Sequence, residues 1–384
     1  MTLAGKTLAV LGASYLQAPL LRRARALGVR TLCFAWPQDA ACRGEADRFF
    51  PISIREKDEI AALCRAEKID GIASIASDAA VPTMVSLADE LGLPGNPLRS
   101  LQPTTDKGVM REALARAGVP CPRFRRARSI EDARAAAEEL GFPLIVKPCD
   151  RSGSLGVLRI ESPEAVREAA EAALACSFGG AIVLEEAVDI AREFSVEGIS
   201  WQGGYHLLAF TDKTTTGAPH YVEIAQRQPS TLPEAVKNAV AEHLARALPA
   251  LGITTGASHA EWMLSAAGEL FVTEIGARMG GDFIGSDLVP LSTGYDYLRG
   301  VIETALGAFS GVSFGTPDVA GIRFFSPDTP EVAAALAAEP RPPWIVRGEW
   351  FPERLRPLAA SADRAGYLIY RGAEGAAWAA RYGA

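Results

Sequence analysis

The sequence predicts a protein of mixed class, α/β in its first hundred residues and α+β in the rest. The first observation is a regular alternation of apolar strands and amphipathic helices, from TLAVLG at residue 7 to a helix that ends at Leu91. The second is a succession of strand patterns after residue 120, which ends in a hairpin with its turn at AAGE, residues 266–269. Alternating strands and helices are typical of a parallel sheet, whereas consecutive strands favour antiparallel pairing.

Composition favours a globular protein with a small-molecule ligand. The chain has 384 residues, of which 48% are hydrophobic, and a formal net charge of −7. An acidic balance without a block of Lys or Arg argues against nucleic acid or an anionic membrane as the main partner. The six cysteines never form C-x-x-C, and no stretch is long enough to span a bilayer. We therefore expect a cytoplasmic protein with reduced thiols and neither a disulfide framework nor a zinc site.

The first domain, residues 1–104, is predicted to be Rossmann-like, with helices on both faces of a parallel sheet. Its first strand-to-helix turn reads LGASYLQAP, in which only Gly12 of the three fingerprint glycines is present. A tight turn is therefore favoured over NAD binding. The Pro-, Gly- and Thr-rich segment 92–107 predicts a linker at the end of this domain.

Three further units are predicted after the linker. Residues 105–190 should form a helix that starts near Thr105 or Asp106, followed by a small α+β subdomain. Residues 191–310 should form an antiparallel sheet with one long helix and the hairpin, and 311–384 a small β-rich module.

The loop KPCDRSGSLGV has the composition of a phosphate-binding loop. Lys147 ends an apolar strand, and the amides and hydroxyls of Ser152, Gly153, Ser154 and Gly156 can close on phosphate oxygens. Only seven of the 39 basic residues are lysines, and a compact ammonium suits a phosphate approached as a point charge. The alternative is a strand-end lysine whose stem packs on the protein while its ammonium reaches water.

Three acids surround the crossover between the next two strands. Glu185 and Glu186 end one strand, and Glu193 begins the other. This layout can present backbone groups to the edge of a base and a carboxylate to a ribose. A solvated strand edge is the alternative, and it fits Glu186 best.

The hairpin carries a pair of acids. Because side chains alternate along a strand, His259 and Glu261 share one face, and the turn brings Glu261 opposite or nearly opposite Glu274. Two like charges side by side cost free energy unless a cation lies between them. Mg²⁺ in proteins is usually held by one or two carboxylates together with substrate phosphates. The pair therefore predicts a magnesium site shared with ATP.

The segment EIGARMGGD, residues 274–282, follows this site. Arg278 would point its guanidinium at a transferring phosphoryl group or a substrate carboxylate, and the pair Gly280 and Gly281 would let the backbone approach the ligand. The alternative is a surface salt bridge between Glu274 and Arg278.

In order and spacing these features resemble the ATP-grasp superfamily, and the resemblance covers nearly the whole chain. It is closest to the carboxylate-amine ligases that join amino acids, whose pattern H-x-E … E-I-x-x-R-x-G-G-D is matched from His259 to Asp282. The resemblance implies an ATP-grasp fold with a Rossmann-like pre-ATP-grasp domain, a mobile lid subdomain, an antiparallel metal-bearing sheet and a small C-terminal β-rich module. Dimers are common in this superfamily, so it also allows a homodimer.

The resemblance implies an ATP-dependent ligase that joins a small-molecule carboxylate to an amine through an acyl phosphate and releases ADP and phosphate. Its cofactors would be ATP and Mg²⁺, with Mn²⁺ as a substitute. Arg278 would be the catalytic residue. The other roles that it implies are nucleotide contacts for Lys107, Lys147, Ser152, Gly153, Ser154, Gly156, Glu185, Glu186, Val188 and Glu193, metal contacts for Glu261 and Glu274, and substrate contacts for His259, Arg278, Gly280, Gly281, Gln226 and His220.

The chain departs from the family pattern at two places. Gly276 stands where many members have Asn, so one metal or phosphate contact is lost or is supplied by water. Gln226 stands where several amino-acid ligases have His, and His220 or His259 would take its place. Two alternatives remain open, a bicarbonate-phosphorylating carboxylase of the same fold and a non-catalytic ATP-binding regulator. Retention of Glu261, Glu274 and Arg278 argues against the regulator.

Overall fold

The N-terminal domain is built on a four-stranded parallel sheet, as the alternating pattern predicts. The structure is a computed structural model that describes residues 2–151, 153, 155–218 and 220–383. The strands follow the order β3-β2-β1-β4. Their bounds and those of the helices are β1 (Thr7–Leu11), α1 (Ala18–Ala26), β2 (Arg30–Phe34), β3 (Arg48–Phe50), α2 (Lys57–Glu67), β4 (Gly71–Ala73) and α3 (Val81–Glu90).

Both faces of this sheet are buried. Leu8 and Val10 of β1 belong to one hydrophobic cluster with residues of α1, whereas Ala9 and Leu11 belong to another with residues of α2. Because successive side chains of a strand point to opposite faces, this division places helices on the two sides of the sheet, as predicted.

The next unit is a linker helix followed by an antiparallel sheet of four strands in the order β5-β8-β6-β7. The helix begins after Asp106, whose side chain accepts hydrogen bonds from the amides of Gly108 and Val109, so the predicted start is confirmed. The elements are α4 (Lys107–Arg116), β5 (Phe124–Ala127), α5 (Ile130–Leu140), β6 (Leu144–Pro148), β7 (Leu158–Ile160), α6 (Val166–Cys176) and β8 (Ile182–Glu186).

The rest of the chain forms one eight-stranded sheet in which all neighbours pair antiparallel, in the order β13-β12-β9-β10-β11-β14-β16-β15. Its strands are β9 (Ile190–Trp201), β10 (Gly204–Thr215), β11 (Glu223–Gln228), β12 (Gly256–Ser265), β13 (Leu270–Gly276), β14 (Ala320–Phe324), β15 (Ile345–Trp350) and β16 (Gly366–Arg371). Its helices are α7 (Glu234–Leu251), α8 (Val289–Thr293), α9 (Tyr297–Ala305), α10 (Glu331–Leu336) and α11 (Gly372–Ala380).

The strands after residue 311 extend this sheet rather than form a sheet of their own. Strand β14 pairs with β11, so the backbone groups along that side of β11 are satisfied by the C-terminal segment. Across the described ranges, no helix combines the length and the hydropathy needed to cross a bilayer.

The N-terminal domain packs closely on the large sheet. Residues of α1 and α9 share one hydrophobic cluster, and Ile75 forms a parallel bridge with Met279 just beyond β13. At Gly71 the backbones approach so closely that a Cβ would lie 2.2 Å from the carbonyl oxygen of Ala305. A glycine at this position therefore allows α9 to pack against β4.

We expect Gly71→Ala to lower the free energy of unfolding by about 2 kcal/mol, because the new methyl group meets backbone atoms that cannot move aside. Urea unfolding followed by circular dichroism would measure the change. Gly44→Ala is the matched control in the same domain, since a Cβ there meets no atom within 4 Å. Equal stability of the two variants would contradict the close packing of β4 on α9.

Candidate active site

The two acids of the hairpin lie directly opposite each other, as predicted. Glu261 of β12 pairs with Glu274 of β13, and the register shifts immediately afterwards, so that Trp262 pairs with Val272. The shift leaves Thr273 as an extra residue in a bulge, and its carbonyl oxygen accepts a hydrogen bond of 2.7 Å from Arg111. The bulge is thus held at the point where the two carboxylates meet.

Each of these carboxylates has a lysine partner. The ammonium of Lys107, at the start of α4, lies 3.0 Å from Glu274 Oε1. Lys213 of β10 contacts Glu261 and lies 3.5 Å from Glu223. Burial opposes ionisation of Glu261, but Lys213 and His259 outweigh it and hold the pKa of this carboxyl well below its usual range. Glu261 is therefore available as an anionic ligand.

Lys213 was missed by the sequence reasoning. It lies opposite Glu193 across the β9–β10 pair. Because the chain has only seven lysines, this lysine could have been singled out from the sequence. What the sequence lacked was the register, because the β9–β10 ladder contains a bulge between Leu207 and Ala209 that shifts the alignment.

Lys147 belongs to a buried three-residue ion cluster. Its ammonium lies 2.6 Å from Glu185 Oε2, and Arg111 Nε donates to Glu185 Oε1 at 2.7 Å. Burial raises the pKa of Glu185, but the two cations outweigh it and lower the value from 4.5 to about 2. The cluster joins α4 to the strands β6 and β8. Arg111, which the sequence reasoning missed, gives no local signal because an arginine in a helix usually faces solvent.

His259 connects the buried acid Glu197 to Glu261. Its Nδ1 lies 2.6 Å from Glu197 Oε1, and its Nε2 lies 3.2 Å from Glu261 Oε1. Burial disfavours the charged imidazole, but Glu197 and Glu261 outweigh it and raise the pKa of His259 to about 8. A Cβ at Gly280 would lie 2.8 Å from the imidazole and 2.9 Å from Glu197. Gly280 therefore packs on this pair. The sequence analysis did not predict Glu197 as a site residue.

Arg278 pairs with Asp78 of the N-terminal domain, not with Glu274. Its Nε and Nη2 donate to the two oxygens of Asp78 at 2.7 and 2.9 Å, a bidentate geometry. The guanidinium is also largely buried, with 13% of the side chain exposed, so the alternative of a surface bridge is wrong. A Cβ at Gly276 would lie 3.3 Å from Asp78 Oδ1, so the missing side chain leaves room for this pair.

A cleft of about 210 Å³ lies between the four-stranded antiparallel sheet (β5-β8-β6-β7) and the large sheet. Burial, together with Glu223 and Glu261, outweighs Lys213 and raises the pKa of Glu193 to about 7. Ser152 and Ser154 lie outside the described residues. Gly156 is described but does not line the cleft. The predicted site residues that do line it are Lys107, Lys147, Gly153, Glu185, Glu186, Val188, Glu193, Glu261 and Glu274.

None of the six predicted substrate residues lines this cleft. Gln226 is buried in β11 and lines an adjacent groove of about 780 Å³ together with Glu193 and Lys213. His220 is exposed and lines neither cavity. Gly281 packs beside the N-terminal domain, where a Cβ would lie 3.5 Å from that of Ala76.

The donor set fits a magnesium ion that is shared with a nucleotide. Within the described part of the chain, no group of three or more His, Cys, Asp and Glu residues is arranged to hold a metal. Two facing carboxylates, Glu261 and Glu274, are sufficient protein ligands for Mg²⁺ when phosphate oxygens and water complete its octahedron. Lys107 and Lys147 line the same cleft and would meet those phosphates.

Residues 140–287 match the model of the ATP-grasp domain. The L-amino acid ligase from Bacillus licheniformis superposes with a TM-score of 0.81 at 23% identity, covering 99% of this chain and 96% of that one. Phosphoribosylglycinamide synthetase from Anaerococcus prevotii gives 0.75 at 20% identity, covering 96% and 94%. The chain therefore has the ATP-grasp fold, as the resemblance predicted.

Curated relatives match a narrower region. Alanine–anticapsin ligase from Bacillus subtilis (strain 168) is 29% identical over 231 residues, which are 55% of this chain and 48% of the relative. The carbamoyl phosphate synthase large chain of Rubrobacter xylanophilus is 26% identical over 225 residues, 56% of this chain and 20% of the relative. The chain spans about half the length, or less, of the curated relatives it matches.

We expect Glu185→Gln to lower the free energy of unfolding by about 3 kcal/mol at neutral pH, because it leaves Lys147 and Arg111 buried without an anion. The folded-state pKa of Glu185 is depressed, so its stabilisation is complete above its ordinary value of 4.5 and is lost as pH falls toward 2. The difference between wild type and variant should shrink over that range in urea titrations.

Glu186→Gln is the matched control for this experiment. Glu186 is the next residue on β8, and its partner Arg123 has 64% of its side chain exposed, so we expect a change below about 1 kcal/mol. A Glu185→Gln variant as stable as this control at neutral pH would contradict the ion cluster.

Proposed function

We propose that the protein is an ATP-dependent carboxylate-amine ligase, which forms an amide or peptide bond between amino-acid substrates and releases ADP and phosphate. One observation carries the proposal. Glu261 and Glu274 face each other on the wall of a cleft that Lys107 and Lys147 also line, so two carboxylates suited to a metal and two lysines suited to phosphate converge on one space.

The relatives support this reaction over its alternatives. The names of two of them, alanine–anticapsin ligase and L-amino acid ligase, state a ligation of amino acids. Biotin carboxylases share the fold at lower TM-scores, such as 0.72 for the enzyme from Campylobacter jejuni. Bicarbonate as the phosphoryl acceptor is therefore the second candidate, and the substrate panel below includes it.

The proposed nucleotide site follows the cleft. Lys107 and Lys147 would contact the phosphates, and the loop from Ser152 to Gly156 would cover them. The carboxylate of Glu185 is already bound by Arg111 and Lys147, so the edge of the adenine would meet the backbone of residues 186–188. Glu193 would contact the ribose.

In the proposed reaction, an oxygen of the substrate carboxylate attacks the γ-phosphorus of ATP, and the bond from that phosphorus to the bridging oxygen breaks to release ADP. An amine then attacks the carbonyl carbon of the acyl phosphate, loses a proton and expels phosphate. Magnesium, or Mn²⁺, held by Glu261 and Glu274 would neutralise charge on the phosphates. Arg278 would stabilise the charge that develops on the reacting oxygens.

Closure of the lid over the cleft would keep water from the acyl phosphate. The proposal includes small-molecule substrates, a cytoplasmic location and the option of a homodimer. All six cysteines are free thiols in the structure, which supports a reducing compartment.

We expect Glu274→Gln to lower ATP turnover at least about 100-fold, because the loss of one metal ligand removes several kcal/mol of charge stabilisation. Phosphate release from Mg·ATP would measure this. Glu269→Gln, in the exposed turn of the same hairpin, is the control and should turn over at the wild-type rate. Full activity of Glu274→Gln would refute the metal assignment.

We expect Arg278→Ala to retain nucleotide binding and lose ligation, because the guanidinium lies outside the residues that line the nucleotide cleft. A thermal shift with Mg·ATP would report binding, and mass spectrometry would report product. Arg278→Lys keeps a cation beside Asp78 and tests whether the bidentate geometry matters. We expect this variant to fold and still ligate poorly. Product formation at the wild-type rate in both variants would count against the role of Arg278.

The direct test of the function is phosphate release from Mg·ATP across all pairs of the twenty amino acids, with bicarbonate as a separate addition. Release that depends on a pair, with a product mass equal to the two reactants minus water, is the expected result. Release stimulated by bicarbonate without any amino acid would instead identify a carboxylase.

A further inference from the structure

A second cavity, of about 560 Å³, lies on the other side of the proposed metal site. Its lining includes Glu274 and Lys107, and it extends to Arg55 of the N-terminal domain and to Arg151 and Phe178 of the lid. Because Glu274 and Lys107 line both this cavity and the nucleotide cleft, the two spaces meet where the phosphoryl group would be transferred. The geometry therefore makes this cavity the space for the substrate.

The acids that line this cavity already have partners. Glu274 pairs with Lys107, and Asp78 pairs with Arg278. The carboxylate of Asp150 accepts hydrogen bonds from the amides of Phe178 and Gly179 at 3.2 and 2.6 Å. Glu274 and Asp78 are therefore matched by cations, whereas Asp150 is held by neutral amides and keeps its carboxylate in this lining.

Two cations in the same lining, Arg55 and Arg151, have no carboxylate partner among the residues that the structure describes. The guanidinium carbons of Arg55 and Arg151 lie 4.0 and 4.2 Å from the centroid of the Phe178 ring, and neither group forms an ion pair with a carboxylate in the described ranges. Stacking on an aromatic ring orients a guanidinium while leaving its N–H groups free to donate. Two oriented guanidinium groups that face one cavity are a receptor for an anion.

Arg151 is also tied to the reacting end of the cavity. Its carbonyl oxygen accepts a hydrogen bond of 2.7 Å from the ammonium of Lys107, the same group that contacts Glu274. An anion held by Arg151 and Arg55 would therefore be one end of a molecule whose other end reaches the metal-site acids.

We propose that Arg55 and Arg151 form an anion subsite of the substrate pocket, so that the substrate has a second anionic group, a carboxylate or a phosphate, besides the carboxylate that is activated. This inference rests on the proposed function, which makes a carboxylate the group that is activated. The charge of the second group makes acidic amino acids and phosphorylated amino acids the favoured class.

Isosteric pairs that differ in charge test the inference. The probes are glutamate against glutamine, aspartate against asparagine, and O-phosphoserine against serine, each with Mg·ATP and the twenty amino acids as amines. We expect a kcat/KM at least about tenfold higher for the charged member of one pair, as for a charge-assisted hydrogen bond. The first two pairs report a carboxylate and the third a phosphate.

Variants of Arg55 separate recognition from packing. Arg55→Gln should remove the preference for the charged member, and Arg55→Lys should keep part of it. Phe178→Leu tests whether Arg55 only holds the two domains together. If it does, Phe178→Leu and Arg55→Gln should each lower the turnover of charged and neutral probes equally. That equal loss would overturn the inference. Arg43→Gln, an exposed arginine of the same domain, should leave both the rate and the preference unchanged.

Calorimetry of the same probes, with the protein loaded with Mg²⁺ and a non-hydrolysable ATP analogue, keeps the inference independent of ligation. If the charged member of a pair binds more tightly and Arg55→Gln loses that preference, the subsite is supported. If no amide product forms in the same experiments, only the proposed function fails. Ligation of neutral amino acids without any preference in binding or turnover would overturn the subsite alone.

Discussion

Two carboxylates that face each other across one hairpin are the constraint on which the rest of the site depends. Like charges at that distance raise the free energy of the folded state unless cations neutralise them. The fold brings these cations from separate places: Lys107 from α4, Lys213 from β10 and His259 from β12 itself. Each of the two carboxylates therefore has a basic partner. Under the proposed function, Mg²⁺ and ATP would enter a site whose acids are already held in place.

The same constraint accounts for the buried polar groups around the site. Glu197 holds one nitrogen of His259 so that the other meets Glu261, and Gly280 leaves space for that pair. Arg111 supports the bulge at Thr273 while its Nε donates to the carboxylate that also binds Lys147. Buried ion pairs of this kind contribute little net stability, but removing one member is costly, so each holds its neighbours in one arrangement.

The N-terminal domain contributes a residue to the candidate site as well as to the packing. Its Asp78 reaches Arg278 across the contact at which Ala76 donates a hydrogen bond to the carbonyl oxygen of Met279. The departure from the family pattern at Gly276 has a structural counterpart here, because the space beside its Cα is next to the Asp78 carboxylate. A residue with a side chain at that position would crowd the pair that holds Arg278.

The sequence by itself determined the features that depend on residues near one another along the chain. These are the parallel sheet of the first domain, the helix start at Asp106, and the hairpin that sets Glu261 opposite Glu274, since periodicity, capping and a short turn are local. The tertiary structure alone decided the partners of the site residues. Asp78 lies 200 positions from Arg278, and Glu197 lies 62 from His259. Such pairs form because distant elements are packed together, and an isolated acid or arginine in a sequence does not show which opposite charge it will meet in the fold.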